Sequence, residues 1–175
     1  RGLGDVYNRQ FDRSVVYLYE ESPQHVAGLV INKPTRTKLQ KIFQVKGFKT
    51  INISDLVYSG GPVNQGNIIM MHTNEWKCKN TLPLANGISI TSDPQMLKKM
   101  HEQDQPQAWR VFSGLSIWSP GQLEGEINSK CWMTAIPTPE LSLETPTTQI
   151  YEKAIEICSK QTVSYTHLTL PTICS

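Results

Sequence analysis

One stretch of the sequence, Val111–Ile127, constrains the fold more tightly than any other. Its first part, Val111–Trp118, is an apolar and aromatic run with the composition of a buried strand. Ser119 and Pro120 end this run, and with Gln122 they form the pattern of a helix N-cap, a first helical residue and a capping box. The stretch therefore predicts a buried strand that leads directly into a short helix.

The other predicted elements are short, and strands outnumber helices. Sequence patterns predict strands at 14–19, 25–31, 56–58, 67–72, 88–91 and 131–136, and helices at 38–43, 94–103 and from Thr147 or Thr148 onward. The first two strands are expected to form a hairpin, Pro34 to end the second strand, and Asp93 to cap the second helix. Because strands and helices do not alternate regularly, the order favours an α+β domain over a doubly wound parallel sheet.

Length and charge exclude several classes of protein. With 175 residues, the chain is long enough for one domain with a sizeable core. A net charge of +2, from 17 basic and 15 acidic residues, is too small to indicate a nucleic acid or a membrane surface as the partner. The sequence has no run of eighteen apolar residues and no signal-peptide core at its start, so we expect no membrane association and a cytoplasmic location.

The four cysteines, Cys78, Cys131, Cys158 and Cys174, are widely separated and form no Cys-x-x-Cys pair. No histidine lies at ligand spacing from them, so we expect neither a metal site nor a cofactor. Each thiol is expected to be reduced and structural, and a redox-sensing thiol is the alternative interpretation.

The C-terminal tail, residues 162–175, differs from the rest of the chain. From Val163 onward it contains no Lys, Arg, Asp or Glu, and it follows a helix whose amphipathic pattern is already complete. It resembles translated adaptor sequence, so we expect a domain at 1–161 and a tail that is not native. Cys174 and His167 would then carry no function.

Possible catalytic groups are few. Glu124 and Glu126 could be paired carboxylates, but residues two apart on a helix point in different directions, which favours a solvated helix face. His72 ends an apolar strand and is expected to be a hydrogen-bonded core or edge residue rather than a base.

A glycine pair and a basic segment are the other candidates for binding. The sequence Ser59–Pro62 contains Gly60 and Gly61, which predict a tight turn or a close backbone approach; a phosphate loop would need a following Gly-Lys-Ser and a helix. The loose basic patch at 36–49 is interpreted as solvated surface rather than a nucleic-acid groove.

Taken together, the motifs resemble the AlgH/YqgE family. The matching pieces are Phe11–Leu18, Gly28–Pro34, Ser59–Val63, the strand ending at His72, and Trp118–Ile127 followed by Trp132. The resemblance covers about residues 4–161 and implies a single α+β domain, in which a branched, mostly antiparallel sheet curls into a pseudo-barrel with short helices outside.

This sequence departs from the family pattern at two places. Family members usually have an apolar strand ahead of the segment that matches Gly4 and Asp5, and that strand is missing here, so the chain is expected to be truncated. Many members also carry Gly-Tyr where this chain has Gly114 and Leu115, which argues against a role for a tyrosine hydroxyl at that position.

The resemblance implies a non-enzymatic cytoplasmic module that regulates transcription through a partner protein or a small ligand. It supplies no catalytic residues. The expected binding surface consists of motif residues: Arg13, Asn32, Lys33, Gly60, Gly61, His72, Trp118, Gln122 and Glu124.

Two other functions remain open from the sequence. An enzyme or nucleotide-binding protein would use the same surface, and it predicts a pocket in which Arg13 or Lys33 faces Glu124 or His72. A regulator that binds DNA directly is weakly supported, since the chain has no helix-turn-helix pattern and no strongly basic face.

Overall fold

The computed structural model describes residues 11–49, 52–161 and 171–175. Predictions that fall on residues 1–10, 50–51 and 162–170, including the one for His167 in the tail, lie outside this range. The strands are β1 Val15–Glu21, β2 Val26–Val30, β3 Pro34–Lys38, β4 Leu56–Ser59, β5 Val63–Thr73, β6 Leu82–Pro83, β7 Ile88–Thr91, β8 Trp109–Trp118, β9 Met133–Ala135 and β10 Thr172–Cys174. The helices are α1 Leu39–Val45, α2 Gln95–His101, α3 Gln122–Asn128 and α4 Thr147–Lys160, with a π-helical turn at Glu140–Glu144.

The described strands form one branched sheet in the order β6-β7-β5-β8-β2-β1-β10-β9. Strand β8 is the branch point, because it pairs antiparallel with β5 and β2 and parallel with β4, which in turn pairs with β3. The sheet curls into a half-barrel accompanied by several short helices. The prediction of a single α+β domain with a branched, mostly antiparallel and curled sheet is confirmed.

Strand β1 shows how the core is divided. Val15 and Tyr17 belong to one buried cluster, whereas Val16 and Leu18 belong to another. Successive side chains of a strand point to opposite faces of the sheet, so the sheet is covered on both sides. Helix α4 packs Ile150 and Ala154 into the first cluster and α3 packs against the second, while α1 and α2 cover a third around β5 and β8.

The helix starts differ slightly from the predicted ones. The N–H of Gln95 donates to the side chain of Asp93 at 2.9 Å, so Asp93 caps α2 as predicted, although the helix begins at Gln95 rather than Pro94. Helix α3 begins at Gln122, after a turn in which Gly121 has a φ of +75°. Only one half of the capping box forms, because the backbone N–H of Ser119 donates to the side chain of Gln122 at 3.0 Å.

Two strand predictions were wrong in their bounds. Pro34 begins β3 instead of only ending β2; a proline is tolerated as the first residue of a strand because it needs no ladder donor there. Strand β5 begins at Val63, four residues before the predicted start. Its residues 64–67 loop out of the ladder, since Val63 pairs with Leu115 and Ile68 already pairs with Ser113.

The end of the chain contributes a strand that sequence patterns did not predict. Strand β10 lies between β1 and β9, and its three residues are buried. The Sγ atoms of Cys174 and Cys158 lie 3.0 Å apart, and both thiols are free. That residues 162–175 are not native stays a prediction.

The helices in the described part of the chain are too short or too polar to cross a membrane. Within the same residues, His, Cys, Asp and Glu side chains form no group of three that could hold a metal ion.

Candidate functional site

Two motif residues, Asn32 and Lys33, hold the loop that precedes β1. The Asn32 amide nitrogen donates to the carbonyl of Arg13 at 2.8 Å, and its amide oxygen accepts the N–H of Val15 at 2.9 Å. The ammonium of Lys33 donates to the carbonyl of Asp12 at 2.7 Å. These bonds let Arg13 keep a positive φ of 51°, which is uncommon for a residue other than glycine.

Arg13 reaches from this loop toward α4. Its guanidinium lies 4.4 Å from the centre of the Tyr151 ring and forms an ion pair with Glu152. The Arg13 and Glu152 side chains are 59% and 66% exposed, so this pair contributes little to stability. The contacts with Tyr151 and Glu152 place the Arg13 side chain on the surface of α4.

Gly60 and Gly61 mark the closest backbone approach that involves the motifs. A Cβ atom on Gly60 would lie closer than 3.0 Å to the carbonyl oxygen of Gly114, and one on Gly61 would lie equally close to backbone atoms of Leu115 and Ser116. The N–H of Gly60 also donates to the carbonyl of Ser113 at 3.0 Å. The predicted close approach is therefore present, and β8 is its partner.

A small cleft opens beside this contact. Its volume is about 220 Å³. We call it the motif cleft and define it by its lining residues: Phe11, Val30, Lys33, Ser59, Gly61, Pro62 and Gln65. Lys33 is the one ionised side chain among these residues, and the others offer a hydroxyl, an amide and backbone groups. Such a lining can bind a polar or anionic group.

A second feature lies under α3 and is centred on Glu126. The indole N–H groups of Trp118 and Trp132 donate to one carboxylate oxygen of Glu126 at 3.0 and 2.8 Å. The amide nitrogen of Gln122 donates to the other oxygen at 2.9 Å. Both indoles are buried and pack around Phe11, with ring centres 6.0 and 5.5 Å from that ring. We call these four hydrogen-bonded residues the Glu126 node.

The Glu126 node corrects the expectation that both carboxylates lie on a solvated helix face. Glu126 is half-buried and accepts three hydrogen bonds: the one from Trp118 joins α3 to β8, the one from Trp132 joins α3 to the segment before β9, and the one from Gln122 lies within α3. Glu124 is also half-buried, and one of its oxygens is buried without a hydrogen-bond partner in the described part of the chain. The two side chains therefore have different surroundings, as their two-residue spacing predicts.

His72 is fully buried in β5. Its Nδ1 lies 2.9 Å from the carbonyl of Thr73 and its Nε2 lies 2.8 Å from the hydroxyl of Thr91. The carbonyl can only accept, so the Nδ1–H tautomer is assigned, with Nε2 accepting from Thr91. The ring also meets Trp76 edge-on at 5.0 Å. Burial lowers the pKa of His72, which favours the neutral ring.

The buried His72 should make stability depend on pH. Because its pKa is lower in the folded chain than its ordinary value of 6.5, the unfolded chain binds a proton at higher pH than the folded chain. The free energy of unfolding is therefore expected to fall as the pH drops below about 6.5, and His72→Gln should remove this component. Urea denaturation at several pH values measures it. An unchanged slope in the His72 variant would contradict the assignment.

The structure gathers only part of the expected binding surface. Lys33 and Gly61 line the motif cleft, Gly60 lies at the adjacent strand contact, and Asn32 holds the neighbouring loop. Arg13 contacts α4 instead. His72 and Trp118 are buried, and Gln122 and Glu124 belong to α3.

Sequence reasoning missed Arg110, whose guanidinium is buried. It donates to the carbonyls of Ile31 and Thr145 and to the hydroxyls of Tyr58 and Thr147. Burial lowers its pKa. Arg110 thus ties β8 to the end of β2, to β4 and to the start of α4. The sequence feature that could have identified Arg110 is a single arginine in a strand that is otherwise largely apolar.

These features define a class of protein. It is a single α+β domain with a branched, curled sheet, a glycine pair that packs closely against β8, and a helix held by hydrogen bonds between two tryptophans and a glutamate. Comparison with known families then gives a specific assignment. The AlgH-like family (DUF179) matches residues 3–162, and the chain belongs to this family. The resemblance inferred from the motifs is confirmed.

Relatives and solved structures agree with this assignment. A UPF0301 protein of Proteus mirabilis is 32% identical over 154 residues, which cover 84% of this chain and 82% of the relative. A UPF0301 protein of Acidovorax sp. is 30% identical over 169 residues, covering 89% and 84%. The solution structure of the AlgH protein from Pseudomonas aeruginosa matches with a TM-score of 0.71 and 25% identity, covering 88% of this chain and 85% of that one.

Proposed function

We propose that this chain is a non-enzymatic regulatory or interaction module that acts in the cytoplasm by binding a partner or a small ligand. The motif cleft carries the proposal, because its lining brings the half-buried Lys33 beside the backbone of Gly61. A polar cleft with one cation suits recognition of an anionic or polar group. The ammonium of Lys33 already donates to a backbone carbonyl, which holds it in place at the cleft.

We propose that the chain affects transcription only by binding a partner protein, and that it does not bind DNA itself. The net charge of +2 gives little electrostatic attraction for a DNA backbone. A module that senses a ligand and then contacts another protein needs no such attraction. Direct binding of DNA would weaken steeply as salt is raised, so a salt series with promoter DNA distinguishes the two routes.

The described contacts do not favour the enzyme alternative. It required Arg13 or Lys33 to face Glu124 or His72, whereas Arg13 pairs with Glu152 and the His72 ring is bonded to Thr73 and Thr91. In the motif cleft, the Lys33 ammonium donates to the carbonyl of Asp12, so it is not positioned as a base for the Ser59 hydroxyl. Recognition without chemistry is therefore the function we propose.

A ligand screen by thermal unfolding of the whole chain tests this proposal. A compound at about 100 times its dissociation constant stabilises the folded state by about 2.7 kcal/mol, which corresponds to a rise of roughly 5 to 10 °C in Tm for a chain of this size. The rise is expected to shrink in Lys33→Gln and to persist in Lys130→Gln, a matched change at an exposed lysine.

Two results would contradict the proposed function. If every stabilising compound stabilised the parent and the Lys33 variant equally, the motif cleft would not be the binding site. A stabilising compound that is converted to product by the purified chain would show that the module is an enzyme. Chromatography of the compound after incubation detects such conversion.

A further inference from the structure

A second and larger opening lies on the other side of the looped-out segment 64–67. Its volume is about 670 Å³, within the range of roughly 300 to 1,000 Å³ typical of small-molecule sites. Three parts of the chain form its walls: the looped-out segment, the turn after α1 that carries Lys46 and Phe48, and the start of α2 from Ser92 to Leu97. We call it the Lys46 groove. No sequence motif singled it out.

The floor of the Lys46 groove is apolar. It is lined by Phe48, Ile68, Met96, Leu97 and Leu115, which come from four separate segments. Met96 and Leu97 are buried, so they form a fixed base. An apolar or aromatic body placed against these side chains would be removed from water, which is favourable by about 25 cal/mol for each Å² buried.

The rim of the groove is polar and carries one charge. Asn64, Asn67 and Ser92 provide neutral donors and acceptors, and Lys46 is exposed. Tyr19 is the other titratable residue in the lining; burial, with a smaller contribution from Glu20, raises its pKa to about 12, so its hydroxyl stays neutral. Among the described lining residues, Lys46 has the one cationic side chain, and no carboxylate lines the groove beside it.

We propose that the Lys46 groove binds a small amphipathic molecule with one negative charge, whose apolar body lies on the floor and whose anionic group meets Lys46. The inference goes beyond the proposed function, because it adds a second ligand site linked to the motif cleft. The position supports this link: Asn64, Gly66 and Asn67 line the groove, while Gln65 of the same segment lines the motif cleft. The hydroxyl of Ser113 holds the carbonyl of Gln65 at this shared wall.

The test uses three probes that share one aromatic body: naphthalene carboxylate, its carboxamide, and naphthylmethylammonium. Each is titrated into the whole chain while backbone amide NMR signals are followed. We expect the carboxylate to bind most tightly and the ammonium most weakly, with the largest shifts at Asn64, Gly66 and Ser92. Lys46→Gln should weaken carboxylate binding about fivefold and leave the carboxamide unchanged, as expected for one exposed charge contact. Lys41→Gln, a matched exposed lysine on α1, should change neither.

A second variant tests the location without altering charge. A Cβ atom on Gly66 would meet no heavy atom within 4 Å, so Gly66→Phe should fold and fill part of the groove. It is expected to reduce binding of all the probes at least tenfold. Gly125→Phe has the same open surroundings on α3 and should bind as the parent does.

Four outcomes would overturn the inference. Carboxamide binding as tight as carboxylate binding would reject the anionic class, and unchanged binding in Gly66→Phe would reject the location. Shifts centred on Lys33 and Gly61 would place the probes in the motif cleft, which would overturn the inference while leaving the proposed function intact. An absence of shifts with every probe would also overturn the inference. The proposed function is decided separately, by the thermal-unfolding screen that compares the parent with Lys33→Gln.

Discussion

Gly61→Ala is expected to remove a large part of the stability of the domain. The φ of Gly61 is +152°, a conformation that side chains of L-residues rarely adopt. An added Cβ would also lie closer than 3.0 Å to backbone atoms of Leu115 and Ser116. These atoms belong to β8, the strand on which the sheet branches, so they cannot rotate away as a flexible side chain could. We expect a loss of about 4 kcal/mol or more, out of the roughly 5 to 15 kcal/mol that a domain has.

Urea denaturation followed by circular dichroism measures this loss, and a low soluble yield would accompany it. Gly125→Ala is the matched control, because Gly125 lies on an exposed helical position with nothing near its missing Cβ. Alanine there should stabilise the chain by about 0.5 to 1 kcal/mol, since glycine is a poor helix former. If Gly61→Ala stayed within about 1 kcal/mol of the parent, the close strand contact would not be the reason for the glycine.

The glycine pair also shows what sequence reasoning can and cannot reach. Two adjacent glycines before a proline predict a tight turn or a close backbone approach, because few other sequences tolerate either. The partner of that approach, Gly114 and Leu115, lies more than fifty residues further along the chain. Only the pairing of β4 with β8 brings the two segments together, and no local pattern encodes a pairing.

The element types were predictable where the local pattern was strong. The run 111–118 has a strand composition and lies within β8, and Asp93 caps α2 because its carboxylate is placed to accept an early helical N–H. Bounds were less predictable where ladder pairing decides them. Strand β5 starts at Val63 because that residue meets Leu115 on β8, although the residues that follow have loop-like composition.

The candidate site was also predictable only in part, because contacts between separate segments of the chain form it. Asn32 and Lys33 were identified as motif residues, and their bonds to the loop before β1 join segments about twenty residues apart. The Lys46 groove has no motif, because single residues from distant segments form it. Such a site exists only after the chain has folded, so composition and spacing carry no signal for it.

Glu126→Ala is expected to have the second large effect. The change removes the acceptor of two buried indole N–H groups, on Trp118 and Trp132, and leaves both without a partner. Hydrogen bonds to a charged group contribute about 1.5 to 3 kcal/mol, and an unsatisfied buried donor costs a comparable amount. We expect the free energy of unfolding to fall by about 3 kcal/mol. Urea denaturation followed by circular dichroism avoids any direct effect of the change on tryptophan emission.

Glu126→Gln separates the acceptor from the charge. A glutamine oxygen could still accept both indole N–H groups, while its NH₂ group would face the donating amide of Gln122. We therefore expect a smaller loss of about 1 kcal/mol, between the parent and the alanine variant. Glu124→Ala is the comparison variant: that carboxylate has no comparable set of donors and one buried oxygen without a partner in the described part of the chain, so its removal should not lower stability. Equal losses in the Glu124 and Glu126 variants would mean that the hydrogen bonds of the Glu126 node do not stabilise the contact of α3 with the sheet.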